Sequence, residues 1–284
     1  MTWPDPFQAL CVVVLAIAYA LYLRSVPRAQ RRDALLELAL IAIGAWAAEE
    51  TSIIRYHAYG YPDWWWLKLD EVPLLIVAIW PMVVTSARTL VTALFPEVRG
   101  LRRVLLVGLV VVVDATLMEV LAVNARLWAW TLPGYMEVPL IGILGWAFYA
   151  MGITYALERW PRAWSPIIAL AITHALLVVS WYACFKWASV ELPLATTYLY
   201  VLAMVVGVFW LLRHPTRRMS LQVAVPRMIA ASVFVVLLVT RSTEHLPSFH
   251  WLHLAATAML YLTAVRWPGQ PLQVPSSPRS RAGR

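Results

Sequence analysis

Charge is scarce in this chain: 13% of its 284 residues are Asp, Glu, Lys or Arg, against roughly 25% in soluble domains. That shortage excludes an ordinary water-facing surface. The fingerprints of common chemistries are missing too. There is no nucleotide-binding loop, no dinucleotide-binding glycine pattern, no paired Cys-x-x-Cys and no Gly-x-Ser-x-Gly elbow. An Asp-x-x-x-Asp segment of the kind that grips a magnesium pyrophosphate is also lacking, which argues against a prenyltransferase. Cysteine is limited to Cys11 and Cys184, both toward the outer ends of apolar runs. A bridge between them is conceivable, but buried thiols are the commoner state in membrane helices.

What is abundant is apolar side chain, 62% of the chain, with a mean hydropathy of +0.70. Apolar runs near the ~20 residues that cross a bilayer fall at 7–23, 34–54, 71–95, 101–123, 138–157, 164–185, 193–212, 223–241 and 249–266. The expected fold is all-α, a polytopic helical membrane bundle of nine spans, or eight if 249–266, interrupted by His250 and His253, lies at the interface. Residues 1–266 read as a single integral membrane domain, and 267–284, rich in Pro, Ser and Arg, as a disordered cytoplasmic tail. Of the 23 Lys and Arg, 18 follow the odd-numbered spans or lie in the tail, and 5 fall on the other side. Basic residues are retained in the cytoplasm. The expectation is therefore a multi-pass protein of the inner (plasma) membrane, N-terminus outside and C-terminus inside. The net charge of +8 is a topology signal and calls for no nucleic acid. No basic residue precedes the first apolar run, so it reads as a membrane helix and not as a cleaved signal.

Two stretches echo each other. Glu71-Val72-Pro73-Leu74, six residues before Trp80, returns as Glu137-Val138-Pro139-Leu140, six residues before Trp146. An aromatic segment precedes each copy, Trp64-Trp65-Trp66 in one and Trp128-Ala129-Trp130 in the other. Before that comes an apolar run with acids, Glu49 and Glu50 first, Asp114 and Glu119 second. This reads as an internal parallel repeat, about 34–95 and 101–157. Proline is tolerated in a first helical turn, and a glutamate beside that turn faces the positive end of the helix dipole. Glu71 and Glu137 are thus expected at two helix entrances.

An acid within a membrane helix usually faces a polar interior or a partner. Adjacent residues lie about 100° apart on a helix, so one of Glu49 and Glu50 points inward, and Glu50 is favoured. Asp114 and Glu119 stand roughly 140° apart and cannot share a narrow face. The plainer readings stay beside these. Trp and Tyr gather at any membrane boundary. Arg126 is an obvious salt-bridge partner for Glu119 or Glu137, and His174 suits a hydrogen bond between helices. Glu244, His250 and His253 match no strong zinc spacing.

Acids and aromatics among apolar helices suit one reaction type. Protonating an isolated carbon–carbon double bond calls for an acid held in apolar surroundings. The resulting carbocation is stabilised by aromatic faces, and a second carboxylate can orient the attacking water. No cofactor or metal is required.

The order of acid-bearing helix, Tyr-rich loop, Val-Pro-Leu helix with a Trp, then Asp114, Trp128-x-Trp130, Tyr135, Val138-Pro139-Leu140 and Gly145-Trp146 resembles the carotenoid-biosynthesis membrane proteins that include the bacterial carotenoid 1,2-hydratases. The resemblance covers about 45–160 and departs at Gly142, where an asparagine is expected. It implies hydration of a terminal double bond in an acyclic carotenoid or other long isoprenoid lipid, without a cofactor. The candidate catalytic residues are Asp114 or Glu50 as proton donor, with Glu71, Glu137 and Glu119. The candidate substrate-binding residues are Tyr56, Trp65, Trp66, Trp80, Trp128, Trp130, Tyr135, Trp146 and His174. A membrane terpene cyclase would need the same acid and aromatics. A carrier of lipids or small solutes is the third reading, opposed by the shortage of Gly/Pro breaks at mid-depth. Membrane lipids are the only other expected partners, and the oligomeric state is open.

Overall fold

The computed structural model describes residues 4–187, 194–213, 218–241 and 248–266. Glu191, Glu244 and the tail lie outside them, as do the side chains of His250 and His253. The described residues form nine α-helices: α1 (Pro4–Ser25), α2 (Arg31–Tyr56), α3 (Leu74–Leu94), α4 (Gly100–Asn124), α5 (Leu140–Arg159), α6 (Ser165–Ser180), α7 (Leu194–Arg213), α8 (Leu221–Arg241) and α9 (Ser248–Ala264). Among the described residues five stretches are helical, long and apolar enough to cross a membrane: Asp5–Ser25, Leu74–Leu94, Gly100–Asn124, Leu140–Arg159 and Arg162–Phe185. α2 has the length but carries Glu37, Glu49 and Glu50. Several long apolar helices in one chain suggest a multi-pass membrane protein.

α3 and α5 begin later than their apolar runs. Pro73 and Pro139 stand at the N-cap with extended backbone (ψ 131° and 144°), and the helices start at Leu74 and Leu140. Proline also drives the residue before it toward the extended region. Glu71 and Glu137 therefore lie in the preceding loops and not in a first turn. Glu137 adopts a left-handed φ of 67°.

α5 packs between α4 and α6, α2 against α3 and α6, α8 against α1, α3 and α4, and α7 against α9. Small residues set the closest approach. A Cβ added to Gly152 of α5 would stand 2.9 Å from the Ala169 carbonyl oxygen of α6. At one end of the bundle, ion pairs tie α2 to α3 (Glu37–Arg88) and α4 to α5 (Arg103–Glu158, 3.3 Å).

At the opposite end two loops lie together. β1 (Tyr59–Gly60) pairs antiparallel with β4 (Ala129–Trp130), matching Tyr59 to Trp130. Within the first loop, β2 (Lys68–Leu69) pairs with β3 (Val72–Pro73). Thr131 strengthens the seam, its N–H donating to the Ala58 carbonyl at 3.0 Å and its hydroxyl to the His57 carbonyl at 2.6 Å. The first loop also docks on α1, where Gln8 accepts from the Trp66 amide at 2.8 Å. A last strand pair, β5 (Met219–Ser220) with β6 (Val265–Arg266), lies on the far side.

Candidate active site

A cavity of about 1330 Å³ runs through the bundle beneath the paired loops. Its wall is mostly apolar, with contributions from α1 to α6, α8 and α9. Lining residues on α6 (Val178), on the π-helical turn that follows it, Trp181–Phe185 (Tyr182), and on α8 (Val235, Val236) are exposed. Turns of this kind recur at functional sites.

Under the loops the wall changes character. Glu49 projects from α2 into a ring of aromatic donors. Its Oε2 accepts from the Tyr59 and Tyr61 hydroxyls, the latter at 2.9 Å, and its Oε1 from the Trp80 indole at 2.9 Å. Burial pushes both tyrosines well above the usual phenol pKa, and the neighbouring Glu49 carboxyl group pushes them further.

Glu119, from α4, is the second carboxyl group of this region, electrostatically coupled to Glu49. Its Oε1 accepts from the indoles of Trp128 and Trp130, both at 2.7 Å. Oε2 is buried without a hydrogen bond of ordinary geometry, and the Trp146 side chain faces the same carboxyl group. Among the described residues no ion pair reaches Glu49 or Glu119.

The rings interlock. Tyr59 lies 4.6 Å from Trp130, Tyr61 5.9 Å from Trp128, and Trp80 4.9 Å from Trp146 and 5.0 Å from Tyr149. Gly142 makes room for one of them: a Cβ there would stand 2.5 Å from the Trp130 ring. The β1–β4 seam thus sets both acids, since Tyr59 donates to one and Trp130 to the other.

Deeper in the cavity Asp114 is tied to Arg227 of α8 and accepts from the Tyr261 hydroxyl of α9 at 2.7 Å. Arg227, counted above with the inner-side charges, lies within α8 and lines the cavity.

The structure divides the expected site residues by position. Glu50 is buried beside the first loop, accepting from the Glu71 amide at 3.2 Å, and does not line the cavity; Glu49 does. Glu71 and Glu137 are exposed, within 3.8 Å of Lys68 and 3.1 Å of Arg126. Trp66 turns away to donate to Asp5 at 2.7 Å. His174 and Tyr135 lie outside the cavity wall, His174 meeting the Tyr56 hydroxyl at 3.1 Å. The structure does bring Asp114, Glu119, Tyr56, Trp65, Trp80, Trp128, Trp130 and Trp146 to that wall. It adds Glu49, Tyr59, Tyr61, Arg227 and Tyr261. Cys11 is buried, Cys184 exposed, and both are free. Among the described residues no group of three His, Cys, Asp or Glu is placed to hold a metal ion.

Compared with protein families, curated proteins and solved structures, the chain matches none.

Proposed function

We propose that this chain is a membrane enzyme that hydrates a double bond in a long isoprenoid lipid, as its resemblance to the carotenoid 1,2-hydratases implies. One observation carries the reading: two carboxyl groups, held among the described residues by aromatic donors, on the wall of a long apolar cavity. Glu49 is the proton donor in place of Glu50 or Asp114. It faces the cavity, whereas Asp114 is neutralised by Arg227. The carboxylic proton adds to the less substituted alkene carbon, leaving a tertiary cation against the faces of Trp80, Trp130 and Trp146. Water adds to the cation and gives up a proton to the carboxylate, so alkene plus water becomes a tertiary alcohol and the acid is restored. Glu119 is fully buried and holds the indoles in place.

The same reading takes the two echoed segments as a parallel repeat. Their loops pair and their tryptophans, Trp80 and Trp146, meet. All nine helices then span the inner membrane, with the basic end in the cytoplasm and the N-terminus outside.

The test is incubation of purified protein with acyclic isoprenoids, both hydrocarbon and monohydroxylated, in water labelled with heavy oxygen. A product heavier by one labelled water supports the proposal. An isomer of unchanged mass identifies a cyclase instead, and flux across vesicles without chemical change identifies a carrier.

A further inference from the structure

A second polar station stands on the cavity wall, and the proton chemistry above does not use it. Four helices converge there. Arg227 of α8 donates to Asp114 of α4, to the Tyr261 hydroxyl of α9 at 2.7 Å and to Ser86 of α3 at 3.0 Å. Tyr261 in turn donates to Asp114 at 2.7 Å, and its ring lies 5.1 Å from the guanidinium. Charged side chains inside a membrane bundle are costly and by default mark a functional site.

Two features say what the station recognises. The Arg227 and Asp114 side chains keep 8% and 11% of their surface open, and both line the cavity. A pure hydrocarbon seated there would strip water from the pair and return no hydrogen bond, which is unfavourable. The pair is also neutral as a unit, so it does not call for a phosphate or carboxylate. A hydroxyl fits, taking Tyr261's place as donor to Asp114 and accepting the freed Tyr261 proton or an N–H of Arg227, and a carbonyl fits as an acceptor.

The spacing is set by the helices. Five residues of α4 separate Asp114 from Glu119, and six of α3 separate Ser86 from Trp80, roughly 7–9 Å at 1.5 Å per residue. We propose that the cavity selects an oxygen-bearing isoprenoid, with a hydroxyl or carbonyl held by Arg227, Asp114 and Tyr261 roughly one to two helical turns along the bundle from the double bond at Glu49. The position of the double bond rests on the hydration reading; recognition of the oxygen does not.

Binding measured by quenching of tryptophan fluorescence tests it, with geranylgeraniol, the matching hydrocarbon lacking the hydroxyl, and geranylgeranyl diphosphate as probes. The alcohol is expected to bind about tenfold tighter than the hydrocarbon. Tyr261→Phe should remove most of that difference and leave hydrocarbon binding unchanged. Arg227→Met should do the same, and Tyr261→Phe decides if Arg227→Met does not fold. Equal affinity for alcohol and hydrocarbon in the unmodified protein would overturn the proposal, as would discrimination that survives Tyr261→Phe or tighter binding of the diphosphate. Glu49→Gln should keep the discrimination, so loss of hydration and loss of oxygen recognition register separately.

Discussion

Glu119→Leu removes the one acceptor shared by two indoles. Trp128 and Trp130 both donate to Glu119 Oε1 at 2.7 Å, in a region where the carboxyl group is almost wholly buried. Leucine has a similar shape, so the packing loss is small and the hydrogen-bond loss dominates. A buried donor left without a partner costs about 1–3 kcal/mol, so the two indoles together cost about 2–6 kcal/mol. Glu119→Gln keeps an acceptor oxygen and loses only the reinforcement by charge, about 1–2 kcal/mol. Trp130→Phe removes one donor, leaves the acceptor in use by Trp128, and should cost less than Glu119→Leu. Thermal unfolding of the detergent-solubilised protein reads the ranking, and near-ultraviolet circular dichroism reads the loss of fixed indoles. Glu119→Leu unfolding with the unmodified protein and keeping its near-ultraviolet signal would refute the reasoning.

Gly142→Ala puts a methyl group 2.5 Å from the Trp130 ring; overpacking of this kind costs about 1–3 kcal/mol. It should lower the unfolding temperature, while Gly145→Ala, whose nearest neighbour is 3.9 Å away, should not; equal effects would count against the account. Arg227→Met leaves Asp114 without its cation and should cost about 3–5 kcal/mol, most of it recovered in Asp114→Leu/Arg227→Met. Simple additivity of the two changes in a double-mutant cycle would contradict a coupled pair. Burial, and then Glu49, hold the Tyr59 and Tyr61 phenols well above their ordinary pKa. The native state therefore keeps two protons that the unfolded chain releases near pH ~10. Their contribution is full below about pH 10 and falls as pH rises beyond it. Unfolding scans above and below that pH should show a larger loss in the unmodified protein than in Tyr59→Phe/Tyr61→Phe, and equal losses would refute the assignment.

The helices were legible because apolar length alone marks them: the run at 101–123 is α4, Gly100–Asn124, almost residue for residue. The starts of α3 and α5 were less so, since Pro73 and Pro139 cap these helices instead of opening them. Trp128 and Trp130, two apart along extended chain, share a face and meet the same carboxyl group. Adjacent Trp65 and Trp66 diverge, and only Trp65 reaches the cavity. Helical rotation could not choose between Glu49 and Glu50, because the deciding contacts come from Tyr59, Tyr61 and Trp80, the last 31 residues away. The Arg227 partner of Asp114 is 113 residues distant. An arginine inside an apolar run needs a counter-charge, but no local pattern says which acid supplies it.

The most direct measurement is the rate of product formation by Glu49→Gln, set against thermal unfolding of the same preparation. The account predicts a fold intact and product reduced about 10²–10⁴-fold, the usual contribution of a positioned acid. A folded Glu49→Gln protein that forms the heavy-oxygen alcohol at the unmodified rate would contradict it.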